Sequence, residues 1–152
     1  MARGYTVNGP SATGTANKTA VTLIGSTSVR IRLFEFTVGL TTAPNSTDQQ
    51  LEFGVGRWTT SAGTAGSSPT PLAIDPGDVA AVATAGITHS AEPTYASTYL
   101  MDQAMNQRAM FRWVAVPGFE FVNPATATTG LGLKNIAIAA TSVITGTMMF
   151  LE

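Results

Sequence analysis

Chemistry in a protein needs titratable, nucleophilic or metal-ligating side chains held close together, and this chain carries few of them. It has one histidine, His89, and no cysteine. A zinc site built on paired imidazoles or thiolates is therefore excluded. A Ser/His/Asp relay would have to combine His89 with Ser90 or Ser97 and Asp102, and neither serine lies in a nucleophile-elbow sequence. His89 is expected instead as a surface or interface imidazole.

The acids are Glu35, Asp48, Glu52, Asp75, Asp78, Glu92, Asp102, Glu120 and Glu152. Glycoside hydrolysis needs two carboxylates across a sugar, with aromatic rings to hold it. Glu52 near Trp58, and Glu120 between Phe119 and Phe121, are the places where acids and rings coincide. Both read more simply as strand residues facing solvent. Asp75-Pro76-Gly77-Asp78 holds two acids, too few for the six or more oxygens calcium takes, and reads as a turn or a helix start. Gly54-Val55-Gly56 lies inside a strand pattern and lacks the helix start of a phosphate loop. Arg57-Trp58 and Arg112-Trp113 pair two residue types common at interface hot spots. Alternation along a strand sends each Trp and its Arg to opposite faces, with Trp113 expected in the core and Arg112 outward or at a subunit contact. No catalytic, cofactor-binding or metal-ligating residue is assigned, no cofactor is expected, and the chain is expected not to be an enzyme.

The elements that would position these residues are strands. The chain has 152 residues, 44% hydrophobic and only 11% charged, against about 25% charged in an average soluble domain. Thr, Ser, Ala and Gly must supply much of the surface. Such a surface is cheap to order and desolvate against a partner. The net charge is -1 and the eight Lys and Arg residues are scattered, so nucleic-acid binding is not expected. No apolar run approaches the ~18 residues of a membrane span, and no apolar leader follows Met1. Synthesis in a cytoplasm without a signal peptide is expected.

Strands are expected at 19–24, 29–38, 51–58, 109–116, 119–122, 131–139 and 142–151, with 79–85 a weak strand or a single helical turn. In 29–38 the apolar set changes phase, from Val29, Ile31 and Leu33 to Phe34, Phe36 and Val38, and a bulge at Leu33-Phe34 would produce that switch. In 51–58, Leu51, Phe53 and Val55 share one face. Gly54 and Gly56 fall on the other, where something large is expected to lie close. Residues 59–71 form a long loop. Residues 1–18 are expected as an extended arm ahead of a single β-sandwich domain over 19–152. The fold class is all-β: an antiparallel, jelly-roll-like sandwich of about eight strands. Phe111, Trp113, Leu133, Ile31 and Phe53 are expected in its core.

Four segments carry a resemblance: NQRAMFRWVAVPG (106–118), HSAEPTY (89–95), GRWTTSAGTAGSSPTPLAIDPGD (56–78) and NPATATTGLGL (123–133). The chain resembles a group of small virion proteins of tailed bacteriophages. That resemblance implies a jelly-roll-like sandwich and a structural role as a capsid decoration or cement subunit. Such a subunit works through protein–protein contacts at the virion surface, after assembly in the host cytoplasm. The implied partners are further copies of itself, as a homotrimer, and the major capsid protein, with no nucleic acid and no membrane. Tyr95, Tyr99, Leu100, Met101, Met105, Arg57 and Arg112 are the expected assembly interface, because aromatics, Met and Arg are enriched at contacts. The alternatives are a jelly-roll shell subunit, which a basic arm would favour and Arg3 and Lys18 alone do not supply, and a tail or receptor-binding module with a carbohydrate site.

Overall fold

The computed structural model describes residues 2–138 and 141–152. Met1 of the expected arm and Ala139 at the end of the expected 131–139 strand lie outside the described residues. Eleven strands are present among the described residues: β1 (Gly4–Pro10), β2 (Lys18–Ile24), β3 (Ile31–Leu40), β4 (Gln50–Trp58), β5 (Leu72–Ala73), β6 (Thr84–Ile87), β7 (Met101–Asn106), β8 (Phe111–Val114), β9 (Phe121–Asn123), β10 (Gly130–Ile138) and β11 (Ile144–Leu151).

They form two antiparallel sheets. Sheet I runs β5-β1-β11-β3-β8, with β9 continuing along the same edge of β3 that β8 occupies. Sheet II runs β6-β2-β10-β4-β7. Without the three short additions β5, β6 and β9, the sheets read β1-β11-β3-β8 and β2-β10-β4-β7. The chain changes sheet at β1/β2, β2/β3 and β3/β4, stays in sheet II for β4/β7, and changes again at each later step. First and last strands end up side by side. This is the winding of a jelly roll, carried by the expected number of eight principal strands.

The core lies between the sheets and alternates along every long strand. β11 buries Ile144, Gly146, Met148 and Phe150 and turns Thr145, Thr147, Met149 and Leu151 outward. β3 does the same across a bulge. Met149 opposes Glu35 and Phe150 opposes Leu33, so Phe34 has no opposite number. The extra residue keeps Ile31 and Leu33, then Phe36 and Val38, on the core side. It leaves Phe34 on the outer face. Phe36 joins the two sheets: its ring lies 6.3 Å from Phe53 and 5.5 Å from Trp113. Ile31, Phe53 and Leu133 are fully buried as expected.

Two expectations change. Phe111 and Trp113 are half-buried and pack against the core from its rim, because β8 is an edge strand. Trp113 stacks on Phe121 with centroids 4.4 Å apart. The buried indole is Trp58, which lies over Gly130. The expected arm is also replaced, in residues 4–10, by a full strand. β1 pairs with β11 along its length and buries Tyr5 and Val7. Only two large apolar side chains mark its inward face. The third inward position is Gly9, packed so closely under Ile87 that a Cβ would come within 2.4 Å.

Phe36→Ala is expected to lower stability by about 3–5 kcal/mol, since it removes the ring common to both sheets. Urea unfolding checks this. A loss below about 1 kcal/mol would show that the ring is not part of a packed core.

Candidate functional site

The two outer faces of the sandwich differ. The outer face of sheet II is covered by the chain itself. Residues 59–67 and 88–100 lie along it, held by isolated bridges at Trp58/Tyr95, Thr64/Ala91 and Ser67/Ile87. Ala96 N–H donates to the Arg57 carbonyl at 2.8 Å, and Leu100 N–H to the Val55 carbonyl at 2.8 Å. What admits this strap is a trench of glycines. A Cβ on Gly56 would come within 2.8 Å of the Tyr95 ring, one on Gly54 within 3.2 Å of Tyr99, and one on Gly132 within 2.1 Å of the Tyr95 hydroxyl. The large neighbour expected beside Gly54 and Gly56 is this pair of tyrosines.

Polar groups are buried with them. The Lys134 ammonium sits 4.6 Å from the centre of the Tyr95 ring and donates to Asn17 Oδ1 at 2.9 Å. Burial pulls its pKa down, against the opposing charge of Glu92. Glu92 accepts from the Thr19 backbone N–H at 2.9 Å, and the Tyr95 hydroxyl lies 3.0 Å from Thr19 Oγ1. Burial pushes the Tyr95 hydroxyl far above the ordinary phenol range, so it stays protonated. These contacts fasten the strap to β2 and β10.

The seven expected interface residues do not form one patch. Tyr95 and Tyr99 lie together on the trench with ring centroids 6.3 Å apart. Leu100, Met101 and Met105 are half-buried and pack toward the core. The Arg57 guanidinium donates to the Val122 carbonyl at 3.0 Å and ties β4 to β9. Arg112 is on sheet I, exposed, and its Nε donates to Glu35 at 2.6 Å. That bond holds the Glu35 carboxyl below its usual range.

His89 is the clearest correction. It is 1% exposed rather than at the surface. Its Nε2 lies 3.3 Å from Thr22 Oγ1, and its Nδ1 has no partner among the described residues. Ser90 donates elsewhere, to the Thr64 carbonyl, and Ser97 is exposed. Glu120 is bound by Arg32 at 3.0 Å and by the Gly118 N–H at 3.2 Å. Asp75 and Asp78 shape a turn, in which Gly77 N–H donates to Asp75 Oδ1 at 2.8 Å. Glu52 and Asp102 share a groove of about 500 Å³ on the outer side of β4 and β7 with Gln50 and Gln103. Among the described residues no group of three His, Asp or Glu side chains is placed to hold a metal.

The outer face of sheet I is open. Its cross-strand rows read Asn8, Thr147, Thr37, Arg112 and, one step along, Leu72, Thr6, Met149, Glu35, Val114. Among the described residues eight large apolar side chains are exposed, and all of these lie on the outer strands of this sheet or in its loops. Leu72 is in β5, and Ile74, Val79 and Val82 are in the segment that follows it; Met110, Val114, Val116 and Phe119 are along the β8 edge. No protein-family model, curated protein or solved structure matches the chain. A functional reading therefore rests on this geometry. Sequence reasoning passed over the open face, although the alternation of Thr145, Thr147 and Met149 with buried Ile144, Gly146 and Met148 marks it.

The buried imidazole makes stability depend on pH. Desolvation lowers the His89 pKa below its ordinary 6.5, with Glu92 opposing. Above about 6.5 the ring is neutral in folded and unfolded chains alike and adds no slope. As the pH falls below that value the unfolded chain takes up a proton first, so stability declines down to the lowered folded pKa. Glu35 and Glu120, whose pKa values fall below 4.5 on folding, contribute losses only under that pH. Urea midpoints measured between about pH 7 and 5 should fall for the parent chain and stay level for His89→Gln. A level profile in the parent would refute the burial of His89.

Proposed function

We propose that this chain is a structural virion subunit, a decoration or cement protein that binds a tailed-phage head through its open sheet face. One observation carries the reading: the chain covers the outer face of sheet II with its own strap and leaves sheet I bare. A strand face of threonine, asparagine and glycine is inexpensive to desolvate and order against another protein. Its charges are already balanced in the pairs Arg112–Glu35 and Arg32–Glu120, so docking leaves no isolated charge to bury. The partners proposed are the major capsid protein and further copies of this chain, as a homotrimer, at the virion surface.

The resemblance segments agree with a structural role. Within NQRAMFRWVAVPG, Gln107 is buried and bonds to the Asn45 and Thr47 carbonyls at 3.2 and 3.0 Å, and Arg108 bonds to Asp48 at 2.9 Å. These side chains pin the 41–49 loop to the β7–β8 corner. The shell-subunit alternative loses support, because Arg3 and Lys18 face Asp78 and Glu92 at 3.5 and 3.8 Å and do not form a free basic arm. The carbohydrate-binding alternative keeps one favouring observation, the Glu52/Asp102 groove beside Tyr99, and a glycan array tests it.

Lysine at Thr37 and Thr147 places two cations in the middle of the open face without touching the core. The Thr37→Lys/Thr147→Lys chain is expected to melt like the parent and to lose co-sedimentation with undecorated phage heads, which the parent retains. Undiminished binding by the variant, or no binding by the parent, would reject the proposal.

A further inference from the structure

The two exposed apolar groups on sheet I differ in shape. At the β8 edge the chain turns through Val116-Pro117-Gly118-Phe119. The Phe119 N–H donates to the Val116 carbonyl at 2.9 Å, and Gly118 has a φ of +90°. With proline second and glycine third, this is a type II turn. Glu120 stiffens it by accepting from the Gly118 N–H while bound to Arg32. The turn holds the Phe119 side chain out, 75% exposed. Ordering a rigid aromatic in a partner's pocket costs little entropy, so this is a knob ready to dock.

The second feature is a hollow. A groove of about 500 Å³ runs across the outer face from the residues after β5, past the ends of β1 and β11, to β3. Phe34, thrown outward by the β3 bulge, lines it with Ile74 and Leu151, and Arg3, Asp75 and Asp78 also border it. The Ile74 end of the groove lies four strand spacings, about 19 Å, from the β8 edge, while its Phe34 end is on β3, the strand next to the knob.

Their charges are of opposite sign. Two carboxylates and one guanidinium border the groove, and Asp75 has no ion-pair partner among the described residues. Around the knob, Arg30 and Arg32 face the single carboxylate Glu120, and Arg30 has no ion-pair partner among the described residues. A like-on-like contact would set knob on knob and groove on groove, with like charges meeting. A contact of knob with groove matches both shape and charge.

We infer that copies of this chain join head to tail, the Phe119 knob of one seating in the Phe34/Ile74/Leu151 groove of the next, with Arg30 beside the neighbour's Asp75. Such a contact uses different surfaces on the two copies, so a joined pair still offers one free knob and one free groove. The series ends by closing into a ring. This deepens the self-association part of the proposed function and needs no capsid, so it stands or falls separately from head binding.

The absence of cysteine allows a direct test with purified full-length protein. Ile74→Cys places a thiol in the groove, and Val116→Cys places one beside the knob at an exposed position. With a short bismaleimide, an equimolar mixture of the two single variants should give a crosslinked dimer, and neither variant alone should. No crosslink in the mixture overturns the inference, and so does a crosslink in Val116→Cys alone, which marks a knob-on-knob contact. Sedimentation gives a second readout. The parent should run at three or more times 15.7 kDa at micromolar concentration, and a dimer, the mark of a reciprocal two-fold contact, overturns the inference. Phe119→Ser should melt unchanged and weaken association by about tenfold or more. Arg30→Glu and Asp75→Lys should each weaken association, and the double swap should restore it. A monomeric parent, or a Phe119→Ser chain that associates as tightly as the parent, overturns the inference.

Discussion

Three glycines on the outer side of sheet II decide how the rest of the molecule is arranged. At Gly54, Gly56 and Gly132 the backbone is bare, and the rings of Tyr95 and Tyr99 lie at the depth a Cβ would occupy. Any side chain there would lift the strap off the sheet. With the strap seated, β2 and β10 are buried on both faces, which an antiparallel sheet in a two-layer sandwich seldom is. The molecule thereby becomes three layers thick on one side and stays two layers thick on the other. That asymmetry leaves sheet I as the one broad surface open to a partner.

The cost of the third layer is polar burial. Lys134, Glu92, Thr19 and His89 are shielded from water beneath or within the strap. An unpaired buried polar group costs about 1–3 kcal/mol, so such a layer persists only where partners exist. Lys134 finds Asn17 and the Tyr95 ring, Glu92 finds the Thr19 amide, and Tyr95 finds the Thr19 hydroxyl. His89 and Glu92 are the incomplete members: one His89 ring nitrogen has a hydroxyl neighbour and the other none among the described residues, and Glu92 Oε1 has only the Lys18 ammonium, 3.8 Å away. The neutrality of His89 at physiological pH makes its burial tolerable and ties the layer to proton concentration.

What could be read from the residues beforehand was local periodicity. The phase change at Leu33-Phe34 located the bulge, and glycines alternating with Leu51, Phe53 and Val55 foretold a close neighbour. The jelly-roll class followed from strand count and spacing. Long-range partners were not legible. β1 carries too few large apolar residues to stand out, and only its pairing with β11 makes it a strand. Trp58 and Trp113 sit in similar local patterns, and their burial is decided by whether the strand is central or at an edge. The Tyr/Met segment was noticed for its composition, yet its rings lie against the chain's own glycines. Phe119 reads in the sequence as the start of a strand over 119–122 and a flank of Glu120, because its exposure comes from a turn whose direction no local pattern states.

The pairing of β1 with β11 has a consequence for the order in which the molecule is built. Tyr5 lies opposite Phe150, and Arg3 and Glu152 exchange backbone hydrogen bonds at 3.0 Å in both directions. A ribosome releases the first of these residues long before the last. Until then β1 has its β5 side available but not the β11 side that completes it, and β3 also lacks β11. Sheet I is left split down its middle. Loop-closure entropy for so distant a pair must be overcome in one late step. The nascent chain thus carries two unpaired strand edges through most of its synthesis, the state in which β proteins are most open to pairing with the wrong chain. Scarce charge, which favours assembly once the fold is closed, offers little protection before it closes.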